Sequence, residues 1–158
     1  MRIQVPIGSF VLAAVALACA PASGPPEIVL DRTACDSCGM LVSERTHAAA
    51  YRIEPGAPAL VFDDIGCMLR SWRAETDVSV ALAWVSDSLT EQWLDARQAW
   101  YVRSVTLPTP MGSNTRAVAT REAAELLASG HEGADTLSFD ELSADRLATH
   151  DGHEEGAR

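Results

Sequence analysis

Two stretches of the chain repeat apolar positions with the period of a helix. The first is predicted to be helical from residue 65 to about residue 73. Its apolar residues recur three or four positions apart and therefore share one face: Ile65, Met68, Leu69 and Trp72. The second runs over 121–129, where Thr120 can cap the start and Gly130 can end the helix.

The remaining apolar runs are too short for helices and indicate strands. They lie at residues 27–34, 47–54, 59–62, 80–85, 93–94, 99–102 and 116–119, with 93–94 and 99–102 expected to pair with each other. The order of elements predicts an α+β fold made of two similar small β-β-β-α halves packed together, about residues 35–75 and 78–130. A weak likeness between segments 61–69 and 118–126 favours an internal duplication.

The N-terminus has the features of a bacterial export signal over residues 1–18. A weakly basic start precedes an apolar run that is too short to span a bilayer as a helix. The segment Ala16-Leu-Ala-Cys19 resembles a lipobox, which predicts lipidation of Cys19 and a tether and lead-in over 19–34. The alternative is an ordinary signal peptide cut near Ala18 or Ala20. Either way we expect an exported protein, and the lipobox places it on a membrane surface, periplasmic or cell-surface.

The charge balance excludes one class of partner and describes the C-terminal end. A net charge of -10 argues against nucleic-acid binding, which requires a basic face. Residues 131–158 predict a helix over 139–148, opened by a capping box of Ser138 and Glu141, and then an acidic tail. The tail contains His150 and His153, which are most simply solvated side chains.

Candidate chemistry is concentrated in the motif Cys35-Asp-Ser-Cys38-Gly-Met40. Thiol and thioether sulfurs are soft ligands that favour Cu(I). A structural zinc site would need four nitrogen or sulfur ligands, and no second Cys-x-x-Cys is present. Two alternatives stay open: a thiol-disulfide oxidoreductase that uses Cys35 and Cys38, and a structural lipoprotein with a disulfide. If Cys19 carries lipid, the odd thiol count leaves one cysteine unpaired.

A second sulfur, Met111, lies in a Pro/Gly-rich loop beside Gly112. If the two halves pack as a pair, Cys38, Met40 and Met111 would form a three-sulfur site that Cu(I) accepts. Other candidates are better explained by structure than by chemistry: Cys67 and Met68 as core, His47 as a satisfied or surface side chain, His131 as a helix-end cation, and Asp63 and Asp64 as a turn and helix cap.

The sequence contains no nucleophile motif, phosphate loop or His-Glu-x-x-His segment, so we do not expect an enzyme.

Its motifs together resemble the NosL family, copper-binding accessory lipoproteins associated with nitrous-oxide reductase. The resemblance covers about residues 19–130 and depends on a lipobox-like Cys19, Cys35-x-x-Cys38-Gly-Met40, Val61-Phe-Asp-Asp and Met111-Gly112.

The resemblance implies two β-β-β-α halves and a Cu(I) site within a copper-binding domain at 35–130. It implies Cys38, Met40 and Met111 as ligands, with Cys35 as a further candidate, and delivery of copper to the reductase's copper cluster. The chain departs from the family pattern at Cys67, in its lipobox and in its tail.

Overall fold

The computed structural model describes residues 23–74 and 80–144. The predicted export signal, Cys19, residues 145–148 of the predicted C-terminal helix and the acidic tail lie outside these residues. No helix in the described part of the chain is both long and apolar enough to cross a membrane. The elements are a 3-10 turn at Arg45–His47, β1 at Ala49–Arg52, β2 at Leu60–Phe62, α1 at Ile65–Ala74, β3 at Leu82–Ser86, β4 at Trp93–Asp95, β5 at Trp100–Arg103, β6 at Thr115–Val118, α2 at Arg121–Ser129, β7 at Asp135–Leu137 and α3 at Phe139–Ala144.

The strands form two antiparallel sheets, one of four strands and one of three, and three strands of each sheet follow the same order. The first sheet has the order β2-β1-β3-β4 and the second has the order β6-β5-β7. In each, the first strand of the unit is central and is flanked by the second and third strands. The α+β class and the two similar halves are therefore confirmed. The unit that repeats is strand, strand, helix, strand, since the third strand of each half follows its helix.

The strand predicted at 27–34 is not formed. Backbone amides of Arg32 and Thr33 both donate to the carbonyl of Val29, which closes a turn, and Asp31 adopts a positive φ of 60°. Only a single bridge remains, between Ala34 and Leu41. The apolar run misled the prediction because Val29 is exposed rather than packed in a sheet.

The strands predicted at 93–94 and 99–102 exist but do not pair with each other. β4 pairs with β3, whereas β5 pairs with β6 and β7. Amides of Gln98 and Ala99 donate to the Asp95 carbonyl, and this turn carries the chain from one sheet to the other. The division between the sheets thus follows β4, later than the boundary near residue 78 that was expected between the halves.

One aromatic chain joins the two halves through the core. The rings of Phe62, Tyr51, Trp72, Phe139 and Tyr101 lie in sequence from the first sheet through α1 and α3 to the second sheet, with neighbouring centroids 5.3 to 6.3 Å apart. Aromatic pairs at such distances add about 0.5–1.5 kcal/mol each beyond their burial. The halves therefore share one core, which fixes their relative position.

The helix boundaries follow the capping signals of the sequence. The Thr120 side chain accepts from the Ala123 amide at 3.2 Å, and Gly130 ends α2. The amide and hydroxyl of Ser138 both donate to the Glu141 carboxylate, which completes the capping box at the start of α3. The predictions of both caps are confirmed. They could be made from the sequence because a cap requires no distant partner.

The loop that carries Met111 packs closely against the start of α1. A Cβ atom at Gly66 would lie only 2.6 Å from the Cβ of Ser113, so only glycine permits this approach. The contact places a loop of the second half on the helix of the first half.

Gly66→Ala is expected to destabilise the protein by about 1–3 kcal/mol, because the added methyl group overpacks this contact. Gly130→Ala is the matched control, since its Cβ would meet nothing nearer than the Leu127 carbonyl at 3.6 Å. Chemical unfolding of both variants measures the difference. Equal stability of the two variants would show that the loop does not depend on the Gly66 contact.

Candidate metal centre

The sulfur motif forms the tip of a short hairpin. The Cys35 amide donates to the Met40 carbonyl at 2.7 Å, and the Gly39 amide donates to the Cys35 carbonyl at 2.8 Å. Gly39 has a φ of 76°, a left-handed conformation that favours glycine. The turn leaves Cys35 buried at 2% exposure while Cys38 is exposed. One thiol of the motif therefore faces the core and the other faces solvent.

Asp36 attaches this hairpin to β2. Its backbone amide donates to the Val61 carbonyl at 2.8 Å, and its carboxylate accepts from the Val61 amide at 2.6 Å. Because β2 leads directly into α1, the attachment sets the motif beside the residues at the start of that helix.

Three thiols and one carboxylate meet at this position. The Sγ atoms of Cys35, Cys38 and Cys67 and a carboxylate oxygen of Asp63 all lie within 4.8 Å of one another. Two sulfurs bound to one ion at about 2.3 Å each can be at most about 4.6 Å apart. The four donors are therefore close to the spacing that a single thiophilic ion requires.

Asp63 is buried in this cluster with an incompletely satisfied carboxylate. It is 2% exposed, its Oδ1 lies 3.7 Å from the Cys38 thiol, and its Oδ2 has no hydrogen-bond partner among the described residues. Burial, followed by the interaction with Cys35, raises the pKa of Asp63 to about 6. Such a group is costly to bury unless it is paired or coordinates a metal.

The three thiols differ in their protonation. A hydrogen bond from the Cys67 thiol lowers the pKa of Cys35 to about 4, against the opposing effect of burial. The same interaction, with burial, raises the pKa of Cys67, and burial is the main cause that raises the pKa of Cys38. These interactions favour the thiolate form of Cys35, which is the form that binds metals.

Asp64 positions the second loop. Its Oδ1 accepts from the Gly66 amide at 2.6 Å and caps α1, while its Oδ2 accepts from the Thr109 hydroxyl at 2.6 Å and the Met111 amide at 3.1 Å. The sequence-based assignment of this residue as a helix cap is confirmed. Consecutive aspartates thus reach two different loops, Asp63 the sulfur hairpin and Asp64 the loop of Met111.

The two methionines predicted as ligands differ in exposure. Met40 is 51% exposed, two residues after Cys38, and Met111 is half-buried against the same core cluster that contains Cys35. As ligands, Met40 and Met111 remain predictions. The histidine weighed as an extra ligand, His47, is buried, with its Nε2 3.3 Å from Glu44.

Sequence reasoning assigned Cys67 to the core, where it does lie, and Asp63 to a turn, but it placed neither beside the thiols of the hairpin. Cys67 lies on α1 among apolar residues and is fully buried, which is also the pattern of an inert core thiol. Asp63 precedes α1 by two residues, so helical spacing does not pair it with Cys67, and only the packing of the hairpin against this junction brings the two residues into one cluster. Met68, in contrast, is a core residue, as predicted.

The fold and the cluster together define a small α+β protein that presents a soft-metal donor set at the start of a helix. A family model described as NosL matches residues 26–147, so the chain belongs to the NosL family, as the sequence motifs predicted. No curated protein matches the chain significantly. Among solved structures it resembles the copper chaperone NosL from Shewanella denitrificans, with a TM-score of 0.63 and 20% identity over 78% of this chain and 98% of that one. At that identity the match establishes the fold.

Asp63→Asn tests the electrostatics of the metal-free cluster. Because the pKa of Asp63 is raised to about 6 from 3.8, its ionisation destabilises the folded state as pH rises through that range. The neutral variant should therefore gain about 1–2 kcal/mol at pH 8 relative to wild type and much less at pH 4. Urea unfolding with a chelator present measures the gain, and the exposed Asp140→Asn is the control. A gain of the same size at both pH values would contradict this assignment.

Proposed function

We propose that this protein is an exported Cu(I) metallochaperone that holds copper on sulfur ligands and delivers it to a copper enzyme. The observation that carries the proposal is the grouping of three free thiols, with the exposed Cys38 at the hairpin tip. Membership of the NosL family and likeness to a copper chaperone support it. The protein would be a carrier and not an enzyme.

The proposed ligands are Cys38, Met40 and Met111, with Cys35 as a further donor. Their sulfurs are soft and favour Cu(I) over hard or divalent ions. Met40 is exposed beside Cys38, and Met111 is held near the start of α1 by the carboxylate of Asp64. A site assembled from two loops can change its ligand number without disturbing the core.

Copper would leave this site by ligand exchange. The exposure of Cys38 and Met40 allows an incoming thiolate or imidazole to reach the ion as one of its own ligands departs. A net charge of -10 favours a basic face on the acceptor. The acceptor we propose is nitrous-oxide reductase, in denitrification, approached from a lipid anchor at Cys19 on a periplasmic or cell-surface membrane.

A thiol-disulfide oxidoreductase is the second candidate, because the pKa of Cys35 is lowered to about 4. Reactive cysteines of that class combine a low pKa with access to solvent. Here the two properties are separated, since Cys35 is 2% exposed and burial raises the pKa of the exposed Cys38. The geometry therefore favours metal binding.

Anaerobic titration of the reduced protein with Cu(I) against a coloured chelator tests the proposal. Wild type should bind one Cu(I) tightly. Cys38→Ser should weaken binding by more than about 100-fold, since loss of a ligand exceeds the 10–100-fold cost of losing an outer partner. Met111→Leu should weaken it by roughly 10-fold or more, because leucine keeps the volume and removes the sulfur.

Met68→Leu is the matched control, because it removes a core methionine and should leave Cu(I) affinity unchanged. Affinity unaffected by Met111→Leu would restrict the site to the hairpin. Absence of tight Cu(I), with disulfide-reductase turnover that requires both Cys35 and Cys38, would replace the proposal by the oxidoreductase.

A further inference from the structure

We propose that Cys67 forms, with Cys35 and Cys38, an inner Cu(I) position buried beneath the solvent-facing position of Cys38, Met40 and Met111. This inference depends on the proposed copper function and deepens it. Cys38 belongs to both positions. The cargo ion would therefore have a shielded coordination and an exposed one within the same protein.

Burial separates the two positions. Cys35 is 2% exposed and Cys67 is fully buried, whereas Met40 is 51% exposed. The three Sγ atoms lie within 4.8 Å of one another although they come from two elements, the hairpin and α1. All three cysteines of the described residues are free, so the thiols are available as ligands.

The unpartnered oxygen of Asp63 is an independent indication of a ligand at this place. The residue is 2% exposed, and its Oδ2 has no hydrogen-bond partner within the described part of the chain. A thiolate and a carboxylate in one buried cluster repel each other unless a cation lies between them. The cationic contact recorded there is Arg70, whose Nη2 lies 3.0 Å from the Cys67 sulfur at the side of the cluster.

The second half of the molecule shows that the fold does not require these groups. Two residues connect β2 to α1, and two residues connect β6 to α2. Counted from the strand ends, Asp63 corresponds to Ala119 and Cys67 corresponds to Ala123. The same junction is thus built with small apolar residues, which indicates that Asp63 and Cys67 serve a ligand rather than the chain path.

Movement between the positions needs no change of oxidation state. As the ion moves inward, Cu–S bonds to Cys35 and Cys67 form and the bonds to Met40 and Met111 break, while the bond to Cys38 persists. The thiol proton of Cys67 passes to solvent, and copper stays Cu(I). Three sulfurs suit Cu(I), whereas addition of the Asp63 oxygen would complete a four-coordinate set for Zn(II).

The test removes one position at a time and measures Cu(I) affinity by anaerobic chelator competition. Met40→Leu with Met111→Leu removes the outer thioethers and should leave one Cu(I) bound within about 100-fold of wild-type affinity. Cys67→Ala added to that pair should cost a further 100-fold or more, whereas Cys67→Ala alone should cost less, because the outer position remains. No further loss on adding Cys67→Ala would overturn the inner position.

X-ray absorption at the copper edge gives a second measurement that leaves the buried thiol intact. In the Met40→Leu, Met111→Leu variant the methionine left among the described residues is Met68, which is packed in the core, so the bound sulfurs are expected to come from cysteine. Three sulfurs at about 2.3 Å are expected, and two or fewer would overturn the proposal even if Cys67→Ala failed to fold.

Two further outcomes separate this inference from the proposed function. Zn(II) that binds through Cys67 and Asp63 and resists displacement by Cu(I) would make the cluster a zinc site and overturn the inner copper position alone. Wild type that binds no Cu(I) tightly would overturn the copper function together with it.

Discussion

The two consecutive carboxylates at the start of α1 set the geometry on which both sulfur loops depend. Asp64 is fully buried, and both of its carboxylate oxygens accept hydrogen bonds from amide or hydroxyl donors. Two of these donors belong to the loop of Met111, so the carboxylate holds that loop in place. Asp63 turns to the other side and keeps one oxygen without a partner beside the thiols. A satisfied carboxylate is thus structural, while its unsatisfied neighbour marks the site. Burial supports both the structural role of Asp64 and the place of Asp63 in the site, because a polar group without a partner is costly inside a protein.

The scaffold restrains this site through the shared core rather than through the loops themselves. Trp72 of α1 contacts Tyr51 of the first sheet and Phe139 of α3, and Phe139 in turn contacts Tyr101 of the second sheet. One end of this row of rings is further restrained by a polar group, since the Tyr101 hydroxyl donates to the Ala96 carbonyl at 2.6 Å. Cys67 lies on α1, which packs in this core, whereas Cys35 and Cys38 lie on the hairpin.

Sequence patterns predicted the features that depend on neighbouring residues. They did not predict the features that depend on which distant segment packs against a given residue. The span of α2 and the cap at Thr120 were predicted correctly, because a helix and its cap are contained within a few residues. The pairing of β4 and the turn near Val29 were not, because an apolar run does not reveal which neighbour will cover it. The nearness of Cys67 to the hairpin thiols was not predicted for a related reason, because a thiol on an apolar helix face has the same pattern whether or not other thiols lie beside it.

The two similar halves differ in that the donor groups lie at the helix start of the first half alone among the described residues. The lengths of the loops explain this difference. The connection between β1 and β2 spans residues 53–59, whereas the equivalent connection between β5 and β6 spans 104–114 and reaches across to Gly66 and Asp64 of the first half. The sulfur hairpin approaches the same helix end from before β1. One helix start therefore receives both loops, while the start of α2 receives a simple threonine cap. The two halves share one strand order, and their unequal loops gather the donors at one of the two equivalent junctions.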